Sequence, residues 1–148
     1  MLAFALRADG WYLRQDIIWN KPNPMPESVR DRCTKSHEYI FLLSKNQNYY
    51  FNVDAIKEPT RRKRSVWNIT KKGYRDAHFA VYPPELIKPC ILAGSQENDI
   101  ILDPFMGSGT TAMVAKELGR YYIGCELHED YGKLIQKRLN ERTVKIFQ

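Results

Sequence analysis

Apolar residues recur along this chain in short runs and in helical stripes. Leu2 to Ala8 is a helix-prone stretch that stops at Asp9-Gly10. Trp11 to Trp19 predicts a strand whose core is Leu13, Ile17, Ile18 and Trp19. Lys21-Pro22-Asn23-Pro24-Met25-Pro26 can be neither helix nor central strand, and reads as an extended loop. Glu38 to Ser44 follows as a buried strand, and Asn46-Gln47-Asn48 would turn it back into Tyr49-Tyr50-Phe51 as an antiparallel hairpin.

The second half alternates strand and helix. Tyr82-Pro83-Pro84-Glu85 starts a helix, because prolines in a first turn lose no donor that the helix needs. Leu86, Ile87, Ile91 and Leu92 give it an apolar face, and Gly94 ends it. Ile100-Ile101-Leu102 suits a buried parallel strand closed by Asp103. Thr110 to Leu118 predicts a helix with Ala112, Ala115 and Leu118 on one side and Gly119 at its end. Tyr121 to Cys125 is a second strand closed by Glu126. Glu129 to Arg142 places Tyr131, Leu134, Ile135 and Leu139 on one helical face, a sheet-covering helix with no assigned chemistry.

The 148 residues suffice for one domain with a sizeable core. No run approaches the roughly 18 apolar residues of a membrane span, and Met1 to Leu6 lacks the marks of a signal peptide. Cys33, Cys90 and Cys125 have neither a zinc spacing nor a disulfide framework, read as buried or neutral residues, and suit a reducing cytoplasm. The net charge of +6 is local. Lys57, Arg61, Arg62, Lys63, Arg64, Lys71, Lys72 and Arg75 face Glu58 alone, so the segment 57–75 holds the basic character and the rest is close to neutral. A solvated loop would account for such a run, and so would a phosphate-binding surface.

The candidate chemistry lies in Asp99 to Thr111. Gly107 and Gly109 allow a tight turn and a close approach of backbone to ligand. Strand, glycine turn, helix, strand and acid together form a nucleoside-binding unit. Backbone N–H groups face the ligand, and Glu126 is placed to accept from ribose hydroxyls. A P-loop is excluded, since no lysine stands in the turn. Gly107-Ser-Gly-Thr-Thr-Ala112 formally meets the dinucleotide pattern, so the glycines alone leave a nicotinamide cofactor open.

The whole string Asp103-Pro-Phe-Met-Gly-Ser-Gly-Thr-Thr111 resembles the S-adenosylmethionine (SAM) motif of the DNA amino-methyltransferases, which act on adenine N6 or cytosine N4. Asp16-Ile-Ile-Trp-Asn-Lys-Pro-Asn-Pro24, followed by Arg32, His37-Glu38 and Lys45, resembles the region downstream of that family's catalytic motif. The resemblance covers nearly the whole chain, in the family's permuted order with the SAM loop late. It implies a Rossmann-like α/β fold, a mostly parallel sheet with an antiparallel hairpin, incomplete at its N-terminus. It implies SAM as cofactor, held by Asp103, Pro104, Phe105, Gly107, Ser108, Gly109, Thr110, Glu126 and His78. It implies DNA as partner, contacted by Lys21, Asn23, Arg61, Arg62, Lys63, Arg64, Lys71 and Lys72, with residues 57–75 as a basic loop in place of a larger target-recognition region. His37 reads as a satisfied structural histidine.

The family's reaction requires Asp, Asn or Ser, then Pro-Pro, then an aromatic, to accept from the target amino group and to stack on the flipped base. No such tetrapeptide occurs in the sequence: Tyr82-Pro-Pro-Glu85 has the prolines with the wrong residues at both ends. No catalytic residue and no metal ligand is therefore assigned. The expectation is a single partial methyltransferase domain, inactive alone. A non-catalytic SAM- or DNA-binding module is the alternative, and an RNA or small-molecule methyltransferase the weaker one. The strand that ends in the missing motif would lie between Ile100–Asp103 and Asp16–Trp19. Its loss would leave two open strand edges, which either close up and pair directly or, as the favoured expectation, are filled or covered by a second copy or a partner chain.

Overall fold

The computed structural model describes residues 2–70 and 81–143, the last three as helical backbone alone. Lys71, Lys72 and His78 lie outside the described residues. The elements run α1 (Leu2–Ala8), β1 (Tyr12–Asn20), β2 (His37–Ser44), a 3-10 turn (Asp54–Ile56), β3 (Val66–Asn68), α2 (Pro84–Gly94), β4 (Ile100–Asp103), α3 (Thr110–Glu117), β5 (Tyr121–Gly124) and α4 (Glu129–Thr143). They form two compact units, Met1–Lys71 and Lys72–Gln148.

In the first unit β1 is central, in the order β2-β1-β3. It pairs antiparallel with β2, from Tyr12 opposite Ser44 to Asn20 opposite His37, and parallel with β3 through Ile18, Trp19 and Asn20. Ile17 and Trp19 are buried on one face, as period-2 alternation requires. The Trp19 indole N–H donates to the Ile69 carbonyl at 2.8 Å, which ties β1 to the segment after β3.

Two expectations are corrected here. The antiparallel partner of β2 is β1, joined to it through the proline loop, and Tyr49-Tyr50-Phe51 forms no strand. The reason lies in the irregularity between Leu13 and Gln15, where Arg14 is left out of the ladder. Arg14 donates through Nε to Ser44 Oγ at 2.9 Å and through Nη2 to the Asn46 carbonyl at 2.9 Å, and its guanidinium lies 4.7 Å from the Tyr49 ring centre. The chain leaving β2 is thus held by a cation instead of turning back as a hairpin. The second correction concerns the open edge expected at Asp16–Trp19: β3 covers it from Ile18 to Asn20.

The second unit is a parallel β4–β5 pair, with Ile100 opposite Tyr121 and Asp103 opposite Gly124. α3 connects the two strands. The sequence suggests one buried side for α3, yet Thr110 to Ala115 are all buried. Small residues let neighbours approach this helix on every side, and β5, α2 and α4 all touch it. Its core is Ile91, Met106, Ala112, Met113, Val114, Ala115 and Leu139, with Ile87, Ile101, Leu118 and Ile135 packed against it. α2 starts as its prolines predict, with Pro83 as cap and Pro84 in the first turn. Ile100, Leu102, Tyr121 and Ile123, the other alternation of the two strands, are exposed. The other edge of β4 carries no strand among the described residues. Cys33 and Cys125 are exposed, contrary to a buried reading, and all three cysteines are free. Among the described residues no helix is long and apolar enough to cross a membrane.

Candidate functional site

The glycine turn between β4 and α3 is fixed from four directions. Asp103 starts it: its Oδ1 accepts from the Phe105 N–H at 3.0 Å, a local turn that ends the strand. Asp103 Oδ2 accepts from the Thr111 hydroxyl at 2.5 Å and from the Tyr82 hydroxyl at 3.2 Å, while Tyr82 and Thr111 also meet at 2.5 Å. This carboxylate therefore joins the segment before α2 to the first turn of α3. Burial pushes the Tyr82 phenol up to about 12, opposed by the Thr111 contact and reinforced by the Asp103 charge. The Met106 N–H donates to the Cys125 carbonyl at 2.9 Å, which pins the turn to the end of β5.

Gly109, at φ 80°, caps α3 in the left-handed region that favours glycine. A Cβ there would also stand 2.9 Å from Ile135 of α4. Gly124 of β5 has the same steric role beneath the turn, since a Cβ would overlap the Met106 side chain. From α4, the buried Arg138 donates to the Ser108 carbonyl at 2.5 Å and to its hydroxyl at 2.8 Å. The helix read as sheet-covering without chemistry therefore holds the turn in place.

Above the turn is a cavity of about 490 Å³ lined by Val81, Tyr82, Phe105, Met106, Gly107, Ser108, Thr110, Glu126, Leu127, His128 and Tyr131. It falls in the range of small-molecule sites. Glu126 stands at the tip of β5. Its Oε2 accepts from the Gly107 N–H at 2.7 Å and its Oε1 from the His128 N–H at 2.9 Å. These bonds hold the carboxyl below its ordinary range, the His128 N–H contributing most, then Gly107 and Leu127, against desolvation. A carboxylate offers about four acceptor positions, so Glu126 is not saturated by these backbone donors and can still accept from a ligand. Thr110 lines the cavity, and its buried Oγ1 has no hydrogen-bond partner among the described residues. Phe105 and Leu127 are 87% and 100% exposed, so the rim presents two uncovered apolar side chains.

Of the residues expected to hold a cofactor, Phe105, Gly107, Ser108, Thr110 and Glu126 line this cavity. Asp103, Pro104 and Gly109 do not line it; they shape the turn behind it. Met106, Leu127, His128 and Tyr131 were missed. Met106 and Leu127 each stand next to a named residue, whereas Tyr131 was hidden by the apolar stripe of α4.

In the first unit, Arg61, Lys63 and Arg64 share a second hollow with Gln15, Glu58, Ser65 and Trp67, and Arg62 is exposed beside it. Lys21 and Asn23 line a third with Met25, Glu27, Lys35, His37, Glu38 and Tyr39. The Lys21 ammonium pairs with Glu38 and lies 4.8 Å from the Trp19 ring centre. His37 begins β2 and packs edge-on against Tyr39, with 5.2 Å between ring centres.

A family model described as DNA methylase, of the N6/N4 type, matches residues 1–137. The chain belongs to this DNA methylase family. The Type II methyltransferase M.SmaI of Serratia marcescens is 54% identical over 148 residues, an alignment covering 95% of this chain and 51% of that protein. The Type II methyltransferase M.Cfr9I of Citrobacter freundii is 48% identical over 152 residues, covering 99% and 51%. The chain thus spans about half the length of the curated relatives it matches. The solved M1.HpyAVI–SAM complex superposes with a TM-score of 0.75 at 32% identity, covering 94% of this chain and 67% of that one. The PvuII cytosine-N4-specific DNA methyltransferase, at 18% identity and a TM-score of 0.77, covering 94% and 61%, shares the fold. The α/β architecture is that of the family's Rossmann-like methyltransferases.

Proposed function

We propose that this chain is the cofactor-binding part of a site-specific DNA amino-methyltransferase. Its two units belong to one methyltransferase domain, and it binds SAM in the cavity above the glycine turn. The observation that carries this reading is the direct pairing of Glu126 with Gly107 at an open cavity that both residues line, with Thr110, whose buried hydroxyl has no partner among the described residues, beside them. The family match and the SAM complex of a relative support it. The residues fit the group. Glu126 retains acceptor capacity for the ribose, Phe105 and Leu127 offer apolar surfaces to a flat base, and Gly107, Ser108 and Thr110 meet the amino-acid end. SAM, when bound, supplies an electrophilic methyl group. The chain's own work is to bind and orient: Asp103, Thr111 and Arg138 position the turn from outside the cavity, and Tyr82 does so from its wall.

DNA is the second partner in this reading, met by the cations of the first unit, exposed Arg61, Arg62 and Arg64 and half-buried Lys63, and by the loop of Lys21 and Asn23; Lys71, Lys72 and His78 keep their expected roles on sequence grounds. Adenine N6 and cytosine N4 stay equivalent as targets, because the Asp/Asn/Ser-Pro-Pro-aromatic tetrapeptide does not occur in the sequence. Transfer to DNA then depends on an acceptor motif brought by residues outside this sequence, contiguous with it or on a partner chain of different sequence. Exposed Ile100, Leu102, Tyr121 and Ile123 offer an apolar face for such residues.

Titration calorimetry tests the reading. The folded chain binds SAM, while tritium from labelled SAM does not enter DNA with the purified chain alone. A folded sample that takes up no SAM at millimolar concentration overturns the cofactor assignment. Methylated DNA above a no-enzyme control overturns the dependence on an added motif.

A further inference from the structure

The basic segment of the first unit is not simply a solvated run. Glu58 and Arg61 form an isolated antiparallel bridge, with Glu58 N–H to Arg61 carbonyl at 2.9 Å and Arg61 N–H to Glu58 carbonyl at 3.3 Å. Pro59 and Thr60 lie between them, with the proline in the second position of the turn, where its fixed φ suits it. The side chains close the same turn: Arg61 Nε donates to Glu58 Oε2 at 2.5 Å. The turn is thus held twice, once by backbone and once by charge.

Behind the turn, Lys63 lies over the Trp67 ring with its Nζ 4.9 Å from the ring centre, and the Trp67 indole N–H donates to the Arg64 carbonyl at 2.7 Å. Trp67 is buried and forms the fixed floor on which the cations are mounted. Arg61, Lys63, Arg64, Ser65 and Asn68 surround a hollow of about 770 Å³, and the one carboxylate among its lining residues is Glu58. The Glu58 carboxyl is held below its ordinary range, chiefly by the Arg61 hydrogen bond and, against desolvation, by the charges of Arg61, Lys63 and Arg64. Arg61 thus pairs with Glu58 directly, while Lys63 and Arg64 line the same hollow and act on that carboxylate through their charges.

We propose that this hollow is a self-screened phosphate seat for DNA: in the free chain Glu58 occupies the place among Arg61, Lys63 and Arg64 that a backbone phosphodiester takes on binding. The inference rests on the DNA reading above and names the group in DNA that the patch meets. An internal carboxylate of this kind lowers the attraction of the patch for any passing duplex. It leaves more of the discrimination to contacts elsewhere, because phosphate contacts carry no sequence information. Glu58 also keeps Arg61 ordered before DNA arrives, so less side-chain freedom is lost on binding.

The test is fluorescence anisotropy of the full chain with a generic labelled duplex over a salt series. Glu58→Gln keeps the hydrogen-bond acceptor and the backbone bridge but removes the charge. It is expected to bind several-fold more tightly at low salt, with a log–log salt slope steeper by up to about 0.9, the contribution of one further neutralised phosphate. Asp9→Asn makes the same change in net charge at the α1–β1 turn and is expected to leave both readings close to wild type. Equal effects of the two substitutions, or an unchanged slope in Glu58→Gln, overturn the phosphate seat. Should Glu58→Gln fail to fold by circular dichroism, Lys63→Gln replaces it. That variant is expected to bind more weakly with a slope shallower by about 0.9, and an unchanged slope overturns the proposal equally. Failure of the wild-type chain to bind any duplex at low salt sinks the DNA reading itself, a different result from binding that ignores Glu58.

Discussion

Glu126 and Gly107, nineteen residues apart, are joined by a 2.7 Å hydrogen bond from the backbone N–H of the glycine to the carboxylate of the acid. The tip of β5 thereby sets the position of the turn after β4. The acid has two tasks, ordering the turn and accepting from a ligand, and one substitution removes both. Glu126→Ala should weaken SAM binding by about tenfold or more, the effect of at least one lost charge-assisted hydrogen bond. Glu126→Gln, which still accepts one bond from the turn, should fall between the two. Calorimetry gives both values. A Glu126→Ala chain that binds SAM as the wild type does would remove the acid from the site.

The same acid sets a pH dependence with a definite sign. Backbone donors hold the Glu126 carboxyl below its ordinary range. A group with a depressed folded pKa contributes fully above its unfolded value and loses that contribution as pH falls through the folded one. SAM affinity should therefore be flat through neutral and mildly acid pH, and should decline only below the ordinary carboxylate range. Measured by equilibrium dialysis, a decline centred near neutrality would point to a histidine and away from Glu126.

Tyr82 gives the opposite sign at the alkaline end. Its phenol, pushed up to about 12, keeps its proton in the folded chain after an unfolded chain has lost it. Its contribution to stability is then complete below about 10, the ordinary tyrosine value, and falls away as pH rises toward 12. In an ultraviolet tyrosinate titration, one of the nine tyrosines should ionise late. Tyr82→Phe should abolish that late step and cost about 1 kcal/mol of stability, because Asp103 and Thr111 lose a partner.

What could be read in advance follows from how local each feature is. The turn from Asp103 to Thr110 is written in consecutive residues, where Gly107 and Gly109 permit a conformation that other residues resist. The start of α2 is likewise local, since Pro83 and Pro84 suit only a first turn. The antiparallel pairing of β1 with β2 is not local. Its register spans the proline loop and is settled by Arg14, whose absence from the ladder no hydrophobic pattern reveals. Nor does the stripe of Tyr131, Leu134, Ile135 and Leu139 say what α4 covers. Periodicity identifies the buried face, but not that Arg138 beside it reaches Ser108 or that Tyr131 reaches the cavity.

Gly109 separates two reasons for being glycine. Its φ of 80° strains any L side chain, and a Cβ would meet Ile135 at 2.9 Å. Gly109→Ala should destabilise the second unit by about 1–2 kcal/mol from the left-handed backbone and by about 1–3 kcal/mol more from overpacking. Ile135→Ala opens the space on α4 and has its own cost from lost burial, as it packs against the core. The double variant should nonetheless be less destabilised than the sum of the two single ones, since the overlap is then gone and only the backbone strain persists. Denaturant unfolding of the four chains measures this coupling. Strict additivity would mean that Ile135 yields freely to the added methyl, and that the backbone conformation alone demands glycine at the first turn of α3.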